Sequence, residues 1–600
     1  MPGTERRIQF VHSPQLYYEQ NQGVRFVPLW AYTLAAHVPE GWASSIHDCS
    51  LELSGDGRVN VDAVASADVF AYSGINQDLE AILSAHAQLK SRYPDALHVL
   101  GGPITWSFEQ DRRLDELKRF DHLFVLDGEA SLPRFLSALV QGGRSANPRI
   151  VRADRFPVGQ ARPVRFDLLT TQASRYYGAV VEVSRGCPFL CEFCDIRVLP
   201  NNNETHVKDP QLIVEELEAY AALGIQQIQL ACDNFIGDIV WANACVDAIL
   251  EWQARTGRKV ALYTWLTVNL SRLPDLMAKM RRAGFTAVFI GVESFNANSI
   301  LEMAKVQNHN EMDQMVDALR LIQARGFLVI PGLIFGFDSD RPSLFDDTMN
   351  GVVESGLLGG DPTFLIALPG TPLHARMKRT GRLVEHEVGA DTLALQNERV
   401  SKVESNIRYL QPREFLIAGF IDFTKRFTDA AYMRKRFEQH VAIMRDGGVF
   451  VADHSVGYGS LPEYLKFQFS SLSNLGRMWR RASLFLRPDR FLTVLNCLRL
   501  VVQHRKTIPG LRHHFTVGLF LWSNLLLKYR NLRPEDFKIH SLQSPEAVAA
   551  IWQDLETPAP TGQTADGVKV GAQDMRTRQA LTALKATLSS DYTLADFRKP

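Results

Sequence analysis

Ser184-Arg185-Gly186-Cys187-Pro188-Phe189-Leu190-Cys191-Glu192-Phe193-Cys194-Asp195 follows directly on an apolar run at 180–184. That run has the length and the Val-rich make-up of a strand, so the three cysteines leave its carboxyl end. Moving outward, similar short runs recur at 225–231, 260–263, 287–291, 328–335 and 363–368. Helical patterns lie between them at 210–223, 239–253, 273–283, 311–324 and 343–354. Strands alternating with helices predict a parallel sheet with right-handed crossovers. Six such units predict a partial (β/α)6 barrel of the TIM type, whose chemistry gathers at the strand carboxyl ends.

A second series of the same kind precedes it. Strand signals at 8–11, 44–46, 68–72, 96–100 and 122–126 alternate with helical ones at 28–36, 79–89 and from 128 to about 140, which predicts a Rossmann-like α/β sheet. Ser73, Gly74, Gly101, Gly102, Gly128 and Glu129 fall at its strand ends, where glycine lets backbone approach a ligand. Ordinary turn chemistry is the competing reading for each glycine. The stretch 147–178 is rich in Arg and Pro and reads as a linker. Beyond about 385 the strand signals fade, and 412–427, 430–444, 463–483, 488–505 and 512–530 read as helices. The expected division is 1–146, linker 147–178, barrel 179–385, a mostly helical domain 386–555, and 556–600 as linker with a terminal helical tail at 575–588.

Lysine plus arginine equals aspartate plus glutamate at 66 each, so the 600-residue chain offers no global electrostatic argument for a nucleic-acid partner. Seven cysteines are too few for a disulfide framework, and three of them fall within eight residues. This fits a reducing, cytoplasmic setting. No signal-peptide core follows the N-terminal methionine. The greasiest stretch, 515–527, is interrupted by Ser523 and Asn524 and is too short to span a bilayer. It reads as a buried or groove-lining helix, with peripheral membrane contact as the alternative.

The cysteine spacing, C-x3-C-x2-C, suits soft thiolate ligation of iron and sulfur. Three thiolates on a [4Fe–4S] cluster leave one iron open, and that iron can chelate the amino and carboxylate groups of S-adenosylmethionine (SAM). Zinc is the rival, but it prefers C-x2-C pairs and a fourth protein ligand. His206 is the nearest candidate for that ligand. On this reading Cys187, Cys191 and Cys194 are both the metal ligands and the catalytic centre. Cys49, Cys232, Cys245 and Cys497 read as structural, with Cys232 notable for ending a strand beside the site.

From about 178 to 385 the chain resembles a radical SAM core. The resemblance implies SAM contacts from Asp233 and Asn234 after the second strand, Thr267 and Asn269 after the third, and Glu293 and Ser294 in Gly291-Val292-Glu293-Ser294 after the fourth. It places Gly332 to Asp338 beside adenine, and Leu368-Pro369-Gly370-Thr371-Pro372-Leu373 as the closing signature. For Asp233 and Glu293 a plain structural role is the competing reading. The N-terminal region resembles the cobalamin-binding domain fused to many such enzymes, through Ser73-Gly74-Ile75, Leu100-Gly101-Gly102-Pro103 and Asp127-Gly128-Glu129. The D-x-H-x-x-G motif that gives cobalt a histidine elsewhere is absent; His12 and His47-Asp48 lack its spacing. The region beyond 385 resembles the helical extension of a subgroup that includes hopanoid C-2 methylases, through Gln396-Asn397, Val403 to Tyr409 and Ala430 to Arg436. A further departure is Asn201-Asn202-Asn203-Glu204-Thr205-His206 after the cluster loop.

The resemblance implies a cobalamin-dependent radical SAM methyltransferase that methylates an unactivated carbon of a natural-product or lipid-like small molecule. Its cofactors would be the cluster, SAM and cobalamin, and its electron donor a flavodoxin or ferredoxin. A cobalamin-dependent cyclase or rearrangement enzyme without methyl transfer, and a non-catalytic Fe–S or cobalamin-binding protein, are the alternatives.

Overall fold

The computed structural model describes residues 6–14, 25–51, 59–303, 305, 315–384, 403–447, 462, 465–466, 469 and 472–542. The predicted segments 556–575 and 575–588 lie outside them.

The first sheet grows from runs such as Val69-Phe70-Ala71-Tyr72, apolar on both faces because helices cover both sides of a parallel sheet. Its strands are β1 (Arg6–His12), β2 (Trp42–Asp48), β3 (Val69–Ser73), β4 (Leu97–Gly101), β5 (His122–Val125) and β6 (Ile150–Arg152), in the order 2-1-3-4-5-6. Helices α1 (Leu29–Ala35), α2 (Leu79–Arg92), α3 (Pro103–Gln110) and α4 (Gly128–Gly142) connect them. The order turns back between β1 and β3, the kind of point where open sheets bind ligands. Strand β6 arises within the stretch 147–178. Three residues are too few to show a period, so it becomes a strand only by pairing with β5.

The second sheet consists of β7 (Ala179–Glu182), β10 (Gln227–Ala231), β11 (Ala261–Leu266), β12 (Phe285–Glu293), β13 (Leu328–Phe335) and β14 (Asp361–Phe364), all parallel and adjacent in that order. It is open between β7 and β14. Its crossovers are α5 (Pro210–Ala222), α6 (Ile239–Thr256), α7 (Pro274–Ala283), α8 (Ala297–Glu302), α9 (Met315–Ala324) and α10 (Leu344–Glu354). Two predicted strands shift. The first stops at Glu182, because β8 (Ser184–Arg185) turns off to pair antiparallel with β9 (His206–Val207). The last ends at Phe364, and the residues after it bond sideways: Ser405 Oγ and Tyr409 Oη donate to the Leu365 carbonyl, and Ala367 N–H to Asn406 Oδ1. Helix α11 (Pro372–Arg379) closes the unit.

Among the described residues, the remainder is helical apart from one parallel pair, β15 (Val403–Tyr409) with β16 (Phe537–Ser541). Its helices are α12 (Arg413–Thr428), α13 (Ala430–Asp446), α14 (Leu472–Ser483), α15 (Pro488–His504) and α16 (Leu511–Tyr529). Helix α16 contains the greasy stretch 515–527, with Trp522 and Leu525 to Leu527 buried. It sits under the amino ends of the barrel strands. His514 Nε2 faces the Gly326 carbonyl two residues before β13, and His440 of α13 bridges His514 to Gln323.

Candidate functional site at the meeting of two sheets

The cysteine loop is tied at its base. The β8–β9 ladder closes it, and the Cys187 N–H donates to the Asn202 carbonyl. Gly186, at φ +88°, lets the chain turn into the loop, since a Cβ there would collide with the Glu204 carbonyl. Its N–H donates to Asp233 Oδ2 at 2.6 Å, so Asp233 buttresses the loop rather than standing free. Burial raises the Asp233 carboxyl. The three thiols lie close enough to feel one another's charge. Burial pushes Cys187 up to about 11 and Cys194 higher still, so they stay neutral until a metal cation takes them as thiolates.

Glu192, between the second and third cysteines, is locked from both sides. Its N–H donates to the Met303 carbonyl, and its own carbonyl accepts from Leu373. Arg376 of α11 grips its carboxylate through Nε and Nη2, both at 2.8 Å. The same guanidinium reaches Asp338 at 2.8 Å, which Arg382 holds at 2.7 and 2.5 Å. Burial would raise the Asp338 carboxyl, but Arg382 and Arg376 overcome it and hold it at about 2. Asp338 is therefore a brace in this structure, and the Gly332 to Asp338 segment packs under Tyr409 and Gln411.

Around the carboxyl ends of the barrel strands, several buried polar side chains have no hydrogen-bond partner among the described residues. Both amide heavy atoms of Asn234, Thr267 Oγ1, Asn269 Oδ1, Thr205 Oγ1 and Ser184 Oγ are buried and unbonded among the described residues. Such atoms carry a desolvation cost that a polar ligand relieves. Glu293 sits at a register shift of β12 with φ +64°, a conformation rare for non-glycine residues and frequent at functional sites. Lys305 Nζ donates to its Oε1 at 2.5 Å and lies 6.0 Å from the Phe193 ring centroid. Burial alone would depress this ammonium; Glu293, Cys191 and Cys194 raise it instead. Ser294 accepts from the Asn296 N–H, shaping the turn into α8. Cys232 Sγ faces Thr264 and the Trp265 carbonyl, a packed position.

The carboxyl end of the first sheet faces this loop across a cavity of about 660 Å³, within the size range of cofactor pockets. Ser73, Gly101, Gly102, Gly128 and Glu129 line it from one side; Glu182, Arg185, Asp195, Ile196 and Leu199 line it from the other. Gly74 sits behind, against Asp78 and Ile82. Gly102 has φ +87°, and a Cβ there would strike Ser73 Oγ. Arg185 joins the two walls, with Asp127 at 3.1 Å, Glu129 at 2.5 Å and Glu182 at 2.8 Å. Burial opposes the Arg185 charge, but these carboxylates hold it well above its ordinary range. Glu129 is thus committed to an ion pair. Among the described residues no histidine lines the cavity: His12 accepts from Trp30 Nε1, and His47 bonds the Asn60 carbonyl.

These residues fit the expected groups. Among the described residues no three His, Cys, Asp or Glu side chains converge on a single ion. Zinc would take a fourth protein ligand beside the three cysteines, whereas a cluster takes three thiolates and keeps one iron open. His206 Nε2 lies 2.6 Å from the Asn201 carbonyl, which engages that ring nitrogen. The orphaned amide and hydroxyls suit a zwitterionic ligand, and the glycine-edged cavity suits a broad cofactor that brings its own metal. Sequence reasoning missed Lys305, Arg376, Arg382 and Arg155, the last at 2.6 Å from Asp127. No periodic signal links them to the cysteines.

Residues 181–352 match the Radical SAM superfamily. The chain is 27% identical over 421 residues to the hopanoid C-2 methylase of Rhodopseudomonas palustris (strain TIE-1), covering 69% of this chain and 73% of that one. In fold it resembles the cobalamin-dependent S-adenosylmethionine radical enzyme OxsB, with TM-score 0.53 and 13% identity over 98% of this chain and 84% of that one. It also resembles the radical S-adenosylmethionine methyltransferase TsrM of Kitasatospora setae, with TM-score 0.51 and 15% identity over 64% of this chain and 80% of that one. Residues 181–352, with the cysteine loop at the end of the first barrel strand, thus form a radical SAM domain, and the chain shares its fold with solved cobalamin-binding radical SAM enzymes.

Proposed function

We propose that this chain is a cobalamin-dependent radical SAM methyltransferase that methylates an unactivated carbon of an apolar, lipid-like or natural-product small molecule. One observation carries the reading: one cavity is walled by the strand carboxyl ends of the first sheet and, from the second, by Glu182, Arg185 and the residues just after the third cysteine, Asp195, Ile196 and Leu199. When bound, the cluster with SAM supplies a radical that removes hydrogen from carbon, and cobalamin supplies the methyl group.

Cys187, Cys191 and Cys194 hold the cluster, and Glu192 with Arg376 fixes the loop between them. Asn234, Thr267 and Asn269 offer unbonded polar atoms to SAM, and the Glu293–Lys305 pair offers both charges. Ser73, Gly101, Gly102 and Gly128 provide the close backbone approach that a corrin needs. The apolar lining from Leu29, Leu34, Val99, Phe124, Leu132 and Ile366 excludes water from a reactive carbon centre. A flavodoxin or ferredoxin in a reducing cytoplasm fits a chain whose cysteines form no disulfide among the described residues.

The test is anaerobic reconstitution with iron, sulfide, cobalamin, SAM and a low-potential reductant, with 5′-deoxyadenosine and S-adenosylhomocysteine read by mass spectrometry. A hopanoid is the first acceptor to try, given the name of the 27%-identical relative. Both products with a methylated acceptor support the proposal. Deoxyadenosine alone, with a rearranged acceptor, assigns the non-methylating chemistry. Neither product from a fully loaded protein, with acceptor and reductant present, overturns the enzymatic reading.

A further inference from the structure

Helix α15 is apolar on two faces, and among the described residues only one of them is covered. Thr493, Cys497 and Val501 recur every four residues and are buried, with Thr493 Oγ1 bonded to the Ala430 carbonyl of α13. Phe491, Leu495, Leu498 and Val502 follow steps of four, three and four on another face. With Leu492 they are 42–58% exposed. Soluble helices usually place charge on such a face, and a continuous exposed apolar stripe marks a contact surface. Two more large apolar side chains nearby in sequence are exposed, Leu486 at 64% and Trp479 of α14 at 67%.

The charge along these helices is almost all of one sign. Residues 472–512 contain nine arginines and lysines and a single acid, Asp489, in a chain whose net charge is zero. Arg487, Arg499, Arg505 and Lys506 are exposed among the apolar residues or just beyond the end of the stripe. No described helix is long and apolar enough to cross a membrane. Aromatic and aliphatic side chains interleaved with basic ones on a helix that does not span is the composition of an interfacial helix.

We propose that the α14–α15 face docks on an anionic lipid bilayer, with its apolar stripe at the headgroup boundary and its arginines and lysines on lipid phosphates. The face belongs to the helices packed beneath the amino ends of the barrel strands, where His514 meets the Gly326 carbonyl. The cysteines are at the other end. The surface is therefore an anchor, not the mouth of the cavity, and it is independent of the reaction proposed above.

The experiment is co-sedimentation of the full-length chain with vesicles of phosphatidylcholine alone and of phosphatidylcholine mixed equally with phosphatidylglycerol. Binding to the mixed vesicles is expected, weakened by salt and much weaker on phosphatidylcholine alone. The paired variant Leu495→Glu/Leu498→Glu is expected to lose it. Arg499→Gln and Lys506→Gln are expected to weaken it about fivefold each. Cluster absorbance and deoxyadenosine formation in detergent-free buffer check that the variants fold. No sedimentation with the mixed vesicles overturns the proposal. So does binding that Leu495→Glu/Leu498→Glu leaves intact. A dimer in light scattering that the same pair dissolves, without vesicle binding by the parent, assigns the face to a second copy and also overturns it.

Discussion

The two six-stranded sheets end differently. At the carboxyl end of the first, the chain withdraws its side chains: Gly101, Gly102 and Gly128 leave a smooth rim, and Leu34, Val99 and Phe124 a greasy floor. At the carboxyl end of the second, the chain crowds in polar groups. Asn234, Thr267 and Asn269 are unsatisfied, Glu293 is aimed by a left-handed backbone, and Lys305 is buried against it. A broad cofactor that carries its own metal needs room and shape. A small zwitterion beside a cluster needs directed donors and charges. The same β/α grammar serves both needs, because what differs is confined to the few residues after each strand.

Replacing Cys187, Cys191 or Cys194 with alanine is expected to have the largest effect. Deoxyadenosine should fall to background and the cluster absorbance should disappear, while cobalamin retention by the first sheet persists. Loss of both together would break the separation between the sheets. Asp338→Asn comes next, since opening a buried, doubly paired charge costs about 3–5 kcal/mol, readable by chemical denaturation. Because Asp338 is held at about 2 in the folded chain, below its unfolded value, its contribution is present above about pH 4 and lost as pH falls toward 2. The variant should lack that part of the acid-side loss.

Gly102→Val is expected to weaken cobalamin retention about a hundredfold, through the φ +87° backbone and the collision with Ser73, while iron content stays unchanged. Equilibrium dialysis and iron analysis would check this. Glu293→Gln should weaken SAM binding by about tenfold to a hundredfold, the range for a charge-assisted hydrogen bond, with cobalamin untouched. The smallest effect is expected from Arg185→Gln, which cuts the ion pairs joining the two ends. Methyl transfer should fall about fivefold, a typical coupling loss, while deoxyadenosine formation holds. A parallel fall in both would show that Arg185 serves the loop alone.

The strand ends were legible in sequence because each is a short apolar run followed by glycine, cysteine or a carboxamide, and runs of that kind need only local context. The cysteine triplet was legible because its ligands sit within eight residues. Lys305 was not: it meets Glu293 across twelve residues and a helical turn, a spacing without periodic meaning. Asp233, read as a SAM contact, turned out to bond the Gly186 amide, and Glu129 to pair with Arg185, because polar residues at a strand end serve ligand and loop with the same chemistry. Strand β6 and the β15–β16 pair escaped notice since both depend on a distant partner for their hydrogen bonds.

The grip of Arg376 on Glu192 has a consequence in time. The two residues are 184 positions apart. At a synthesis rate of roughly 5–20 residues per second, Arg376 emerges about 10–40 s after the glutamate it holds. For that interval the nascent cysteine loop has its ladder but not its clamp. Iron delivered to a ribosome-bound chain would meet thiols still free to rearrange, so durable loading waits until the barrel has been translated to its closing helix.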